Sequence, residues 1–313
     1  MWEHERLVVR TGKRSGMTTM VAVHSTAAGP AVGGCRMKAY GQITDAVADV
    51  LRLSKAMTLK CAAAGVPHGG AKSVIVVDRP LTPELRRDVL LDHAELVDEF
   101  GGTYRAAPDV GTGPEDMVVL NEITPFVYCL PEERGGTGSS SGPTARGVLA
   151  ALRAASNHVF GTEDLAGKKV VVSGFGAVGR LVAEGLTAAD VTVSDVDENR
   201  RTDRYGWVHP DEAYRVEADV LVPAAVGGVL SPETAAGLKV KLVVGPANNQ
   251  LTDDGVADLL AERGIVWVPD HIASAGGVIY TLAREDDGVD HETALKRVDA
   301  IETTVRELLG TGR

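Results

Sequence analysis

Cysteine is scarce in this 313-residue chain, and the three that occur, Cys35, Cys61 and Cys129, are far apart with no Cys-x-x-Cys pair. That pattern excludes a disulfide framework and a structural zinc site, and it predicts a reducing, cytoplasmic setting. The eight histidines are scattered with no pair at ligand spacing, so no metal is expected. Long apolar runs are also missing. The longest nearly apolar stretch, Val220 to Leu230, contains Pro223 and two glycines and is too short to span a bilayer. The opening Met-Trp-Glu-His-Glu-Arg is charged, so no signal peptide is expected. Positive charge is in deficit, with 32 basic against 43 acidic residues and a net charge of −11. Such a surface repels phosphate backbones and acidic lipid, which argues against nucleic-acid and membrane partners. A small anion can still bind in a locally positive cleft.

What remains is an ordinary globular composition, 44% hydrophobic and 24% charged, and the 36 glycines follow no collagen-like period. The length predicts two domains. Arg6 to Val9 and Thr18 to His24 read as strands. Val47, Val50, Leu51 and Met57 then recur at helical spacing between Thr44, a candidate N-cap, and Lys60. A strand is predicted over Ser73 to Val77. A helix follows, opened by Thr82-Pro83-Glu84 and stopped at Gly101-Gly102. The stretch from Gly135 to Gly142 reads as a flexible linker, followed by a helix from Thr144 to about His158. Beyond it, Lys168 to Ser173, Arg180 to Ala188 and Val191 to Ser194 form a β-α-β run. Val220 to Val222, Lys241 to Val244 and Val266 to Val268 read as further buried strands. The second half is therefore expected to be α/β, a parallel sheet covered by helices.

Gly174-Phe175-Gly176-Ala177-Val178-Gly179 follows the first strand of that run and opens its helix. In this setting the three glycines suit a tight turn, close approach of a pyrophosphate and close helix–strand packing. The helix N-terminus adds free N–H groups and a positive dipole end. Asp195, at the end of the next strand, is placed to accept hydrogen bonds from a ribose, which favours NAD over NADP; Arg200 and Arg201 stand nearby, and Asp195 could also be a plain solvated loop acid.

In the first half, Lys60 and Lys72 lie among small and apolar residues, where lysine is unusual without a partner. Two ammonium groups in one cleft would repel, leaving one with a lowered pKa and able to act as a base. The plainer alternative is two surface lysines at element ends. Gly33-Gly34 offers either backbone N–H groups for a carboxylate or a simple turn. Asp109 is a lone acid in a small-residue stretch, fit for proton transfer if buried or for capping a helix if not.

Taken together these segments resemble the glutamate, leucine, phenylalanine and valine dehydrogenase family, most of all its leucine/valine/phenylalanine branch. The resemblance rests on Gly29-Pro-Ala-Val-Gly-Gly34, Met57-Thr-Leu-Lys60, Gly69-Gly-Ala-Lys72, Asp109-Val-Gly-Thr112, the dinucleotide turn and Gly245-Pro-Ala-Asn-Asn-Gln-Leu251, and it covers nearly the whole chain. It implies an α/β protein of two domains with a cleft between them. These are a substrate domain over 1–142 and a Rossmann NAD-binding domain over 143–313, with the last helix, about 292–309, free to pack back on the first. It implies reversible, NAD-dependent oxidative deamination of an L-amino acid to a 2-oxo acid and ammonium. Lys60 would bind the substrate carboxylate, helped by Gly33 and Gly34. Lys72 would be the general base and Asp109 the proton-transfer group, and Asn248 would lie near the nicotinamide ribose. Val32, Ala107 and Val298 would line an apolar side-chain pocket.

Two positions depart from the family pattern. Ser274 replaces an asparagine expected near the substrate amine, and Pro108 replaces an acidic residue before Asp109. They motivate an alternative, a specialised member acting on an unusual 2-oxo acid or imine. A non-catalytic NAD-binding protein is a further one. Both ends are short for the family, so among homo-oligomers a dimer is expected.

Overall fold

The computed structural model describes residues 2–310; Met1, where the opening segment begins, and 311–313, the far end of the expected second domain, lie outside the described residues. The chain divides into two compact units. One runs to Ser140 and takes back Thr281–Gly288, and the other comprises Ser141–Tyr280 and the chain from Val289 onward. Thr281–Gly288 is thus grouped with the first unit, and the expected last helix with the second.

The first unit contains β1 (Arg6–Thr11), β2 (Thr18–Ser25), β3 (Ala31–Lys38), α1 (Ile43–Ala63), β4 (Gly69–Val76), α2 (Pro83–Asp98), β5 (Tyr104–Pro108) and α3 (Pro114–Asn121). Its sheet has the order β1-β2-β4-β3-β5. The β1–β2 and β2–β4 pairs are antiparallel, whereas β3 runs parallel to both β4 and β5. Side chains alternate between the two faces of a strand, and the two cores follow that alternation. Met20, Ala22 and Val74 pack with Ala46 and Val50 of α1. Val21, Val23, Cys35, Met37, Ala71, Ile75, Tyr104 and Ala106 pack on the other side with Val89, Leu90 and Ala94 of α2.

The helix ends show why these segments start and stop. Gln42, not Thr44, caps α1: the Asp45 carboxylate accepts the Gln42 N–H at 3.1 Å, satisfying a donor at the first turn that Thr44 does not serve. Thr82 caps α2 as expected, its hydroxyl accepting from Leu85 N at 3.2 Å, with Pro83 in the first turn. Beyond α2, Gly101 and Gly102 take left-handed φ values of 54° and 85°. The Gly/Ser stretch is less of a linker than its composition suggests. Glu285 accepts from Thr137 N (2.9 Å), Thr137 Oγ1 (2.6 Å) and Cys129 N (3.0 Å), and the next helix already begins at Ser141.

The second unit contains α4 (Ser141–Phe160), β6 (Lys169–Ser173), α5 (Ala177–Gly185), β7 (Asp190–Ser194), β8 (Gly206–Trp207), β9 (Val220–Pro223), α6 (Pro232–Gly237), β10 (Leu242–Val243), α7 (Gly255–Glu262), β11 (Val266–Trp267), α8 (Asp270–Ala273), α9 (Gly276–Glu285, which ends in the first unit), α10 (His291–Asp299) and α11 (Ile301–Gly310). All its strand pairs are parallel, in the order β11-β10-β9-β6-β7-β8. Read from the other edge this is the doubly wound order of a dinucleotide-binding sheet, with its switch point between β6 and β9. The single terminal helix expected over 292–309 is two, broken at Ala300. They lie on α4 within this unit: Arg146 holds Asp299 with two bonds of 2.7 Å, and Arg153 donates to Glu302 at 2.9 Å. Among the described residues no helix is long and apolar enough to cross a membrane.

Candidate active site

Strand alternation gathers the first candidate site. Counting by twos from Val74, which faces α1, places Lys72 on the α1 face of β4. The same parity puts Val32, Gly34 and Arg36 there from β3, and Arg105, Ala107 and Asp109 from β5 and its end. The β3–β5 register sets Gly34 opposite Ala107. Lys72 Nζ lies 3.2 Å from Asp109 Oδ2, and both side chains are largely buried.

Gly33 and Gly34 are neither a turn nor a nest of N–H groups, the two geometries expected; they are the middle of β3. Glycine is needed at 34 for room. A Cβ there would lie 2.7 Å from Asp109 Cβ, 2.8 Å from Pro108 O and 2.9 Å from Lys72 Nζ. The Asp109 loop is held by Thr112, whose hydroxyl accepts from Asp109 N at 2.9 Å and donates to Cys35 O at 2.7 Å.

Burial drives the Lys72 ammonium below the ordinary lysine range; the nearby Asp109 carboxylate opposes this and the Arg36 guanidinium adds to it. Arg36, which the sequence reading did not single out, is thus a cation acting on Lys72. For Asp109, burial alone would raise the carboxyl, but Lys72 and Arg36 overcome it and hold its pKa at about 2. Lys60 is half-buried in the last turn of α1. Val32 is buried and Ala107 half-buried on the same sheet face as Lys72.

On the reverse face a buried polar chain backs the strand. His93 shares hydrogen bonds with Thr19 and, at 2.9 Å, with Ser73; Tyr104 donates to Gly33 O at 3.1 Å and shares a hydrogen bond with Ser73 Oγ at 2.9 Å. Burial pushes the His93 pKa down to about 3, so the ring is neutral and its proton is committed to this chain.

The second candidate site lies at the switch point of the parallel sheet. Gly174 has a φ of 114°, and a Cβ on it would sit 2.5 Å from Ala225 N, just beyond β9. Gly176, Ala177, Val178 and Gly179 then form the entry of α5, where no side chain caps the first N–H groups. A Cβ on Gly176 would meet only Arg200 NH1, at 3.4 Å. Exposed donors at a helix entry and an open flank suit a pyrophosphate. Asp195 is not a solvated loop acid. It is buried, its Oδ2 accepts from Phe175 N (2.8 Å) and Arg200 NH1 (3.0 Å), and its Oδ1 accepts from Asp197 N (2.9 Å).

Asn248 is half-buried beyond β10. Its neighbour Asn249 has a φ of 53° and donates its N–H to Asp270 Oδ2 at 2.9 Å, while its buried Nδ2 has no partner among the described residues. Ser274 is buried with its hydroxyl committed to Asp270 O at 2.6 Å. Val298 is fully buried in α10, where its Cγ1 is 3.1 Å from a Cβ placed on Gly276. Both residues belong to the second unit.

Two participants escaped the sequence reading: Arg36, which donates to Asp109, and Asp49, which anchors Arg36. Of the two arginines noted near Asp195 in the sequence, Arg200 contacts it. For Arg36 a signal existed, since it shares strand parity with Gly34.

Comparison with known proteins shows the family. Residues 4–125 match the Glu/Leu/Phe/Val dehydrogenase dimerisation domain, and residues 135–199 and 196–284 match the Glutamate/Leucine/Phenylalanine/Valine dehydrogenase model. The phenylalanine dehydrogenase of Lysinibacillus sphaericus is 40% identical over 319 residues, covering 97% of this chain and 82% of the relative. The leucine dehydrogenase of Bacillus cereus is 38% identical over 317 residues, covering 98% and 85%. The crystal structure of L-tryptophan dehydrogenase from Nostoc punctiforme superposes with a TM-score of 0.75 at 31% identity, covering 98% of this chain and 90% of that one. The paired Lys72 and Asp109, the doubly wound second sheet and these matches have one reading: the chain is an oxidoreductase belonging to the glutamate, leucine, phenylalanine and valine dehydrogenase family.

Proposed function

We propose that this enzyme catalyses the NAD-dependent, reversible oxidative deamination of an apolar L-amino acid: amino acid, NAD⁺ and water give 2-oxo acid, ammonium, NADH and a proton. The observation that carries the reading is the buried Lys72–Asp109 pair, 3.2 Å apart on the α1 face of the sheet. The names of the similar proteins support the substrate class, since they act on phenylalanine, leucine and tryptophan. Val32 and Ala107, on the same face, offer an apolar wall.

In the oxidative direction Lys60 binds the substrate carboxylate as a point charge, alongside the Gly33-Gly34 backbone. Asp109, already ionised, takes a proton from the substrate amine. That transfer removes the counter-charge from Lys72, which then releases its own proton to solvent more readily, the proton that appears in the overall equation; the two groups titrate as a pair. Neutral Lys72 removes a proton from the water that attacks the imine carbon, and Asp109 returns a proton to the departing nitrogen. A bound nicotinamide would supply the acceptor for the substrate Cα hydride. Gly174, Gly176, Ala177, Val178 and Gly179 would hold the pyrophosphate, Asp195 the adenosine ribose and Asn248 the nicotinamide ribose. NAD is favoured over NADP because a 2′-phosphate would meet the Asp195 carboxylate. The protein is proposed to be cytoplasmic and homo-oligomeric, with a dimer as the first expectation; its N-terminal match to a dimerisation domain supports assembly.

The test offers purified protein and NAD⁺ a panel of L-amino acids at alkaline pH and follows NADH absorbance. Turnover of valine, leucine or phenylalanine is expected. Silence with every amino acid, together with measurable NADH binding, would overturn the catalytic reading.

A further inference from the structure

Arg36 is the one charged side chain on the α1 face of β3 between Val32 and Met37, and its guanidinium bridges two carboxylates from different elements. Nε donates to Asp109 Oδ2 at 2.8 Å and NH1 donates to Asp49 Oδ2 at 3.0 Å. Asp49, in α1, is itself fixed. Tyr40 donates to its Oδ2 at 2.8 Å, and Arg52 donates to its Oδ1 at 2.8 Å. Arg36 and Asp49 are both largely buried, so the bridge is a rigid part of the fold.

Lys72 Nζ approaches the same oxygen of Asp109 that Arg36 Nε holds, Oδ2. The other oxygen, Oδ1, takes neither of these contacts. A carboxylate turns easily about its terminal torsion. An ammonium on a flexible stem does not stop that rotation, but a planar guanidinium anchored at its far side does.

We propose that Arg36 is a positioning residue: anchored on Asp49, it holds Asp109 Oδ2 so that Oδ1 faces the substrate nitrogen, and so that Lys72 shares its counter-ion instead of holding it alone. This rests on the roles proposed above for Lys72 and Asp109. The charged group of β3 in contact with the pair is Arg36, with Asp49, Tyr40 and Arg52 behind its guanidinium; the Cys35 thiol, on the opposite face of β3, acts on Lys72 only through the strand.

The test uses the full chain in three variants, Arg36→Lys, Arg36→Gln and Asp49→Asn, each first checked for a wild-type circular dichroism spectrum. Arg36→Lys keeps the charge and loses the fork. It should lower kcat by about a hundredfold, the order expected for a misplaced reacting group, while KM for the amino acid changes little. Asp49→Asn, which frees the far end of the guanidinium, should fall between wild type and Arg36→Lys. A second readout needs no turnover: the pH dependence of Lys72 acetylation by acetic anhydride, followed by mass spectrometry. In Arg36→Gln the midpoint should move to higher pH, because Asp109 then serves Lys72 alone; in Arg36→Lys it should stay near wild type.

Wild-type kcat in Arg36→Lys, or an unmoved Lys72 midpoint in Arg36→Gln, would overturn the proposal while leaving the reaction assignment standing. A wild-type protein that turns over no amino acid, yet shows the Lys72 shift, would sink the reaction and leave the coupling of Arg36 to the pair intact.

Discussion

Gly34 has no side chain because Lys72 stands where one would be: a Cβ at 34 would lie 2.9 Å from Lys72 Nζ, with Asp109 Cβ at 2.7 Å. Gly34→Ala should therefore act as an active-site mutation although it adds a single methyl group. We expect the fold to persist and kcat/KM to drop by about a hundredfold through displacement of the pair. Steady-state kinetics alongside circular dichroism checks this, and an unimpaired Gly34→Ala enzyme would contradict the crowding.

Removing the amine itself separates chemistry from nucleotide binding. Lys72→Ala should lower turnover by about two to four orders of magnitude, the usual range for loss of a general base, with NADH affinity by fluorescence titration unchanged. In the wild type, kcat/KM for oxidation should rise with pH as Lys72 loses its proton. Because burial and Arg36 lower that group, the midpoint should fall below the 10.5 of an unperturbed lysine. A limb at or above that value would show that Lys72 is not the titrating base.

Nucleotide choice should depend on Arg200 as well as Asp195. With Arg200 NH1 3.0 Å from Asp195 Oδ2, part of the charge that would repel a 2′-phosphate is offset. NADH should bind more tightly than NADPH, and Arg200→Ala should widen the gap by about tenfold, the scale of one charge-assisted hydrogen bond. Calorimetric titration of both nucleotides measures this without any amino acid present. Equal losses for the two would remove Arg200 from the discrimination.

Asp92 predicts the acid limit of the first unit. Its side chain is buried and accepts from Ser15 N (2.9 Å), Ser15 Oγ (2.7 Å) and Arg14 N (3.1 Å). Burial alone would raise its pKa, but these bonds hold it below the ordinary value. A depressed carboxylate stabilises the fold fully above its unfolded pKa of about 4, and that contribution disappears as pH falls through the folded value. Asp92→Ala leaves several buried donors unpaired and should cost about 3 kcal/mol at neutral pH. The deficit should shrink in denaturant titrations at progressively lower pH; a constant deficit would show that the ionised form is not what matters.

How much of this could be seen in the sequence depended on distance along the chain. The strand, turn and helix of the candidate nucleotide site are legible because they are contiguous. A valine-rich strand, a glycine turn and a helix lie between Lys169 and Gly185, and tertiary context changes little of that. The first site was legible in its residue types but not in its geometry. Gly33-Gly34 carries a turn signal, yet it is mid-strand, because room for Lys72 and Asp109 outweighs the local preference for a bend. Arg36 and Asp109 are 73 positions apart and meet only through the β3–β5 pairing, which no local pattern encodes. The Gly135–Gly142 stretch looked loose because Glu285, which fastens Thr137, is 148 residues away. The break at Ala300 has no composition signal at all.

Alternation along β3, β4 and β5 has one more consequence, which concerns counting. Lys72 and Ser73 are neighbours in sequence but serve opposite faces, one an amine beside Asp109 and the other a hydroxyl on His93. One residue added or removed within β4 ahead of position 72 would exchange them, carrying the amine to the side of the neutral imidazole and the hydroxyl to the carboxylate. Connecting loops can change length without disturbing that order. The chemistry of the first unit is thus written in odd and even positions, and inside these strands the spacing is as binding as the residues themselves.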